Sequence, residues 1–318
     1  MNHHNLENID YADVVNHSGK TYAVLRKELK PSYKKVLWDI LKGYIFLLLI
    51  FLANLLFIKT GHFNPFFAVP LSALLAGYVL AYLHLFIHAA AHYDLHPDKR
   101  KNDLLSDLFI GVLFGIAQEK YRKIHWLHHI HLGKKEDSEH SYFNELNLPF
   151  IIKCITGIHT LSVIVSRIKT GGKQASKKTS LAYPLYLLLF HSVLLSVLFF
   201  SGGWPLVLIW LGALVIVFPL LATLRQLMEH RDVNASGKID YSTADHGKIS
   251  RLFGGGPLDS SFGAAGFNRH LLHHWDPSVS YTRLQEVEDF LLQCPETAVI
   301  VKESKTSYLK TFVALFKI

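Results

Sequence analysis

The sequence predicts an all-α integral membrane fold: four transmembrane helices in two hairpins, closed at one end by a cytosolic helical cap rich in histidine. Three observations predict it. Hydrophobic residues make up 50% of the 318-residue chain, with a mean hydropathy of +0.22, high for a soluble protein of this size. Four apolar stretches reach the roughly 20 helical residues needed to cross a bilayer. The pattern His-x-x-His-His also occurs twice, as HWLHH at 125–129 and HLLHH at 270–274.

The first apolar stretch runs from about Leu41 to Ile58 and the second from about Pro65 to Ala91. The third is Leu181 to Phe200 and the fourth Pro205 to Leu224. Pro184 and Pro219 are tolerable near helix ends or as kinks within a span. The connections 59–64 (KTGHFN) and 201–204 (SGGW) hold a single basic residue, Lys59. The remaining Lys and Arg lie in the N-terminal tail, in 92–180 and in the C-terminal segment, so these three segments and both termini are expected in the cytoplasm. A bacterial inner membrane is the expected setting. The division follows: a cytosolic tail at 1–35, a membrane domain at 36–290 and a cytosolic or interfacial tail at 291–318.

Weaker apolar stretches at Leu104–Ala117 and Phe150–Ile168 fit interfacial helices, the first too short to span and the second broken by Lys153, His159 and Arg167. The run at 171–178 (GGKQASKK) reads as a solvated loop. A net charge of +8 fits basic loops facing anionic lipid, and no nucleic-acid motif accompanies it. The two cysteines, Cys154 and Cys294, exclude a disulfide framework, a cysteine-based zinc site and an iron–sulfur cluster.

Histidine supplies 20 of the 318 residues. At that frequency His-x-x-His-His is expected roughly 0.08 times by chance, so two copies need a cause. On a helix, positions i, i+3 and i+4 share a face, which gathers His125, His128 and His129, and likewise His270, His273 and His274. The second span ends in HAAAH with His88 and His92, and His84 lies a turn deeper on the same stripe. The fourth span leads into LRQLMEHRD, with Glu229 and His230. Topology brings all four groups to one side of the membrane at one depth. Nine imidazoles exceed any single ordinary site, whereas two octahedral ions offer about twelve positions. The cap is therefore expected to hold a His-rich di-metal site, and imidazole with open positions suits two iron ions that can activate O₂. A membrane zinc hydrolase and a non-enzymatic metal-binding membrane protein are the competing readings from other classes.

With these boxes in view, the chain resembles the membrane fatty acid desaturase superfamily. HAAAH (88–92), HWLHH (125–129), EHR (229–231) and HLLHH (270–274) match its order and spacing, as do NDLL, YRKIH and FNRHLLHHWDPSVSYTRL beside them. The resemblance covers about residues 35–290. It implies a non-haem di-iron centre held by His88, His92, His125, His128, His129, His230, His270, His273 and His274, with O₂ as co-substrate. The implied reaction places a double bond in a fatty acyl or related lipid chain. A hydroxylase or ketolase of the same superfamily is the alternative.

The chain departs from the pattern in three ways. Ala89 stands where an acidic residue often follows the first histidine. That carboxylate is missing or is supplied by Glu229, Asp137 or Glu139. Gln226 stands where acyl-CoA desaturases have Asn. No fused haem or cysteine motif is present, so an external electron donor of ferredoxin, flavodoxin or cytochrome b5 type is expected. His84, Glu229, Gln226, Asn268 and Asp276 are candidate supporting residues behind the ligands. Arg225 and Arg231 read as interfacial cations, and His191 as a helix–helix hydrogen bond.

Overall fold

The computed structural model describes residues 6, 9–11, 14–139, 141–171, 182–241, 243–245, 247 and 249–317. From residue 172 onward the loop expected at 171–178 lies outside them. The fold is mostly helical, and among the described residues four helices are long and apolar enough to cross a membrane: Tyr33–Lys59, Pro65–Ala91, Ala182–Gly202 and Trp204–His230. They form two hairpins, as expected. Asn64 caps the second span by accepting from Phe66 N, and Pro65 fits its first turn, where no amide partner exists. Gly203, at φ +72°, makes the turn into the fourth span.

Two spans run further than their apolar stretches. The first begins at Tyr33 rather than Leu41, and the fourth continues past Leu224 to His230. Within the bilayer the first two spans are tied by Asn54 and Ser72, whose side chains meet at 2.9 and 3.0 Å. Such a bond suits a low-dielectric setting, where both groups would otherwise lack partners. The fourth span contains a π-turn at Ala213–Val217. Pro219 lies just beyond it; its ring has no N–H and crowds the preceding turn, which a π-turn relieves. Gly77 of the second span lies against this turn, and a Cβ there would come within 2.4 Å of Val217.

The stretch expected at Leu104–Ala117 forms a short helix, a π-turn at Asp107–Gly111 and a last turn at Val112–Phe114. Its carbonyls find partners on the spans. Tyr44 donates to Phe109 O, Tyr186 to Leu108 O at 3.1 Å and Tyr183 to Ile116 O at 2.9 Å. His191 Nε2 lies 3.0 Å from Val112 O, the inter-helix bond expected of it. The second interfacial stretch is two helices, Leu148–Ile155 and Ile158–Gly171, exposing Leu148, Ile152, Ile155, Ile158 and Leu161.

At the histidine end both terminal segments fold into the cap. The Tyr22–Glu28 helix packs on Leu271, Leu272, Trp275 and Phe290. Lys305–Thr306 pairs in parallel with Leu252–Phe253, and the Tyr308–Leu315 helix brings Tyr308 onto Phe253 with ring centroids 3.7 Å apart.

Arg225 and Arg231 are not interfacial cations. Both are buried: Arg225 donates to Ala81 O at 3.2 Å, and Arg231 donates to Tyr142 O and Phe143 O at 3.2 and 2.9 Å. Guanidinium can be buried when its fork is satisfied in this way, and a basic residue at a span's end does not reveal that from sequence.

Candidate metal centre

The boxes lie on four helices: HAAAH and EHR at the ends of the second and fourth spans, HWLHH within Gln118–His131 and HLLHH within His270–Trp275. HAAAH closes the second span, and its small alanines, all buried, let the Gln118–His131 helix approach. A helix end leaves its last carbonyls without partners. Here Gln118 reaches Ile87 O at 3.2 Å, Asn102 reaches Ala90 O at 2.9 Å, and Arg122 donates to Ala90 O and Ala91 O at 3.0 and 3.1 Å. Arg122 is anchored in turn by Asp103. Arg251 does the same for the fourth span, donating to Met228 O at 2.8 Å and Arg231 O at 2.6 Å. These contacts fix the first box and His230 relative to the rest.

All nine sequence-predicted imidazoles converge, in two groups. His88, His92, His125, His129 and His273 form one, and His128, His230, His270 and His274 the other; within each group the candidate ligand atoms lie within 4.8 Å of one another. The partition explains why His-x-x-His-His appears twice. Residues i and i+4 stay together, as in His88/His92, His125/His129 and His270/His274. Residue i+3 of each box crosses to the other group: His128 joins the third box's pair and His273 joins the second box's pair. Adjacent residues on a helix diverge by about 100°, so His128/His129 and His273/His274 straddle two centres. The expectation that all three histidines of a box act on one face is refined accordingly.

The donor atoms approach one another as ligands of a common ion do. In the first group His92 Nε2 lies 2.8 Å from His125 Nε2, His129 Nε2 2.9 Å from His125 Nε2, and His273 Nε2 3.1 Å from His129 Nε2. In the second, His270 Nε2 lies 2.9 Å from His230 Nε2 and 3.2 Å from His274 Nε2. Nitrogens bound at about 2.1 Å stand about 3.0 Å apart at right angles and about 3.4 Å apart at tetrahedral angles. The observed spacings match the right-angled arrangement, and five donors exceed a tetrahedral set. His88 adds a further sign: both its ring nitrogens are buried with no hydrogen-bond partner among the described residues, a costly condition that a bound cation would remove.

Other groups orient the rings. Both Asp137 oxygens lie 2.9 Å from His128 Nδ1, and Tyr142 donates to the same carboxylate at 2.5 Å. His230 Nδ1 lies 2.8 Å from Ile249 O, which leaves Nε2 as the free donor. Glu139 Oε1 is 3.8 Å from His125 Nδ1, and its other oxygen accepts from Gln226. Glu229 receives the Tyr308 hydroxyl at 3.1 Å, lies 3.8 Å from Arg225 Nε and reaches within 4.0 Å of His270 Nε2. Three carboxylates thus surround the imidazoles although Ala89 offers none. Burial, reinforced by repulsion from neighbouring rings, holds His92, His129, His270, His273 and His274 below the usual imidazole range, the neutral form that ligates metal. Burial also opposes a charge on His128, but Glu139 and Asp137 outweigh it and hold that ring up at about 9.

Four of the imidazoles, His88, His125, His128 and His270, line a cavity of about 450 Å³ that runs between Phe114, Phe218 and Phe267. Gln226 and Glu229 lie on its wall. His84 also lines it, its ring 5.2 Å from Phe114 and 5.0 Å from Phe218, and it belongs to neither imidazole group. Two expected supporting residues stand elsewhere. Asn268 lines a second groove. Asp276 binds Tyr22 at 3.1 Å and Arg26 Nε at 2.8 Å, locking the N-terminal segment to the cap, so it orients no ligand. Sequence reasoning missed Tyr142, Tyr308 and the Ile249 carbonyl, because only folding places them beside the histidines.

No curated protein matches the chain by sequence. The fatty acid desaturase family model matches residues 63–303, a stretch that contains all nine imidazoles and the last three spans. That match covers most of the chain, and with the four spans and the paired histidine groups at one end of them, the protein belongs to the fatty acid desaturase family.

Proposed function

We propose that the protein is an O₂-dependent di-iron lipid desaturase, with His88, His92, His125, His129 and His273 holding one iron and His128, His230, His270 and His274 the other. The observation that carries the reading is the convergence of five and four imidazoles at the head of a cavity lined by Phe114, Phe218 and Phe267. Bound iron would supply the oxidising chemistry: with O₂, two electrons and two protons, adjacent carbons lose two hydrogens and two waters form. The protein's own part is geometric. The aromatic walls exclude water and hold a flexible lipid chain so that one carbon pair faces His88, His125, His128 and His270. Asp137 and the Ile249 carbonyl hold the Nδ1 atoms of His128 and His230, so that the Nε2 atoms of these rings would be the ones to ligate the ions.

Electrons would come from a separate ferredoxin-, flavodoxin- or cytochrome b5-like carrier. Trp126, exposed on the cap and 5.3 and 5.6 Å from the rings of His92 and His129, gives that carrier a landing point near the centre. The distribution of Lys and Arg supports a cytoplasmic histidine end. Mass spectrometry of lipids from cells expressing wild-type or His128→Ala protein tests the reaction. Products two hydrogens lighter, present only with the wild type, are expected; a gain of one oxygen would instead make the enzyme a hydroxylase, and unchanged lipids would refute both.

A further inference from the structure

A second cavity lies apart from the one beneath the histidines. A groove of about 630 Å³ opens where the first two spans meet the cap, lined among others by Lys35, Lys42, Arg269, Phe46, Val79 and Ala265. It shares no lining residue with the cavity at the imidazoles, and the 263–269 segment forms the partition. Phe267 faces the imidazole side, and Gly266 and Asn268 face the groove. Gly266 adopts φ +87°, and a Cβ there would come within 2.7 Å of Tyr281, so this wall depends on glycine.

The groove is graded along the first span. Lys35, Asp39, Lys42 and Phe46 follow at i, i+4, i+7 and i+11, one face of a helix, covering about 16 Å along its axis. The cap end of the stripe is charged and the membrane end is apolar. Lys35 and Lys42 each contact Asp39, at 2.9 and 2.6 Å, yet their side chains remain 53% and 42% exposed. Each ammonium carries three donors, so both retain free N–H groups. Asp39 is held by Tyr281 as well, at 3.0 Å. Arg269, across the groove, is bound to Glu288, which also engages Lys305. Three cations and one carboxylate therefore line the charged end, an excess of positive charge above an apolar floor.

We propose that this groove binds an anionic phospholipid of the surrounding leaflet, its phosphate between Lys35, Lys42 and Arg269 and its acyl chains over Phe46 and Val79. Charge complementarity selects the occupant: a basic pocket between spans at the membrane surface matches an anionic headgroup continuous with two hydrocarbon chains. The site is separate from the imidazole cavity, so it stands whatever reaction that cavity performs.

The test is native mass spectrometry of the purified full-length, metal-loaded protein titrated with dioleoyl phosphatidylglycerol or dioleoyl phosphatidylcholine. One tightly retained phosphatidylglycerol is expected, in preference to phosphatidylcholine. The double variant Lys35→Gln/Lys42→Gln should bind it about twenty-five-fold more weakly, each cation contributing about fivefold beside anionic lipid. Lys59→Gln, in the connection at the opposite end, should leave it unchanged. Because the double variant removes both lysine partners of Asp39, Ser260→Trp is the second arm: it fills the exposed rim of the groove and should abolish retention with metal content intact. Equal retention of the two lipids would overturn the proposal. So would phosphatidylglycerol binding unchanged in Ser260→Trp, or inorganic phosphate displacing the lipid in full.

Discussion

Replacing Asp137 by Asn should weaken one metal position and spare the other. Asp137 is buried, with both oxygens 2.9 Å from His128 Nδ1, and within the two imidazole groups it is His128 alone that it is seen to contact. Asparagine keeps the shape and one acceptor for Tyr142 or the Glu139 amide, so the 133–142 turn should survive. It loses the charge that orients the ring and raises its basicity. A hydrogen bond to a charged group is worth about 1.5–3 kcal/mol, which corresponds to about a ten- to hundredfold loss of metal affinity. That loss should fall on the group of four containing His128, while the group of five keeps its affinity. The assay is release of iron from purified protein during titration with a chelator. The variant should give two separated steps, the first at about ten- to hundredfold lower chelator than in the wild type. Parallel loss of all iron, or a curve like that of the wild type, would refute the assignment of Asp137.

Further outcomes follow from the same geometry. Gly111→Ala should lower thermal stability by about 1–3 kcal/mol in detergent, since its Cβ would come within 2.2 Å of the Ile116 carbonyl, a backbone atom that cannot swing aside. An unchanged melting temperature would contradict the packing of the π-turn. His84→Phe should leave iron content intact, because His84 belongs to neither group, but alter which products form or how fast, because it lines the cavity. Loss of iron would make it a ligand after all. Metal-stripped protein should be acid-labile. The imidazoles of His92, His129, His270, His273 and His274 have folded values depressed below their unfolded value of 6.5, so their contribution is present above that pH and is lost as pH falls further. His128, raised to about 9, contributes in the opposite sense, fully below 6.5 and fading as pH rises through 9. Melting temperatures of the stripped protein measured downward from pH 8 should fall below about pH 6.5; a flat profile would oppose this account.

The spans were legible because about 20 consecutive apolar residues have few other uses, and the histidines because helical periodicity turns spacing into shared direction. The division of the nine was less legible. A box of i, i+3 and i+4 reads as one face until two centres are present, and then the i+3 member crosses over. The ends of spans were misread where polarity and helix part company. Arg225 and Glu229 continue the fourth span as buried, partnered groups, although the apolar run stops at Leu224. Contacts between distant residues had no sequence signal at all. Tyr22 meets Asp276 across 254 residues and Tyr308 meets Glu229 across 79, so a cap built from both terminal segments looked like two tails.

Iron counted per chain tests the central claim most directly, in the wild type and in one variant from each group. The account predicts about two irons in the wild type, and about one each in His92→Ala and His230→Ala, with the remaining ion bound as before. One zinc in the wild type, or loss of both ions from either variant with the fold intact, would contradict it.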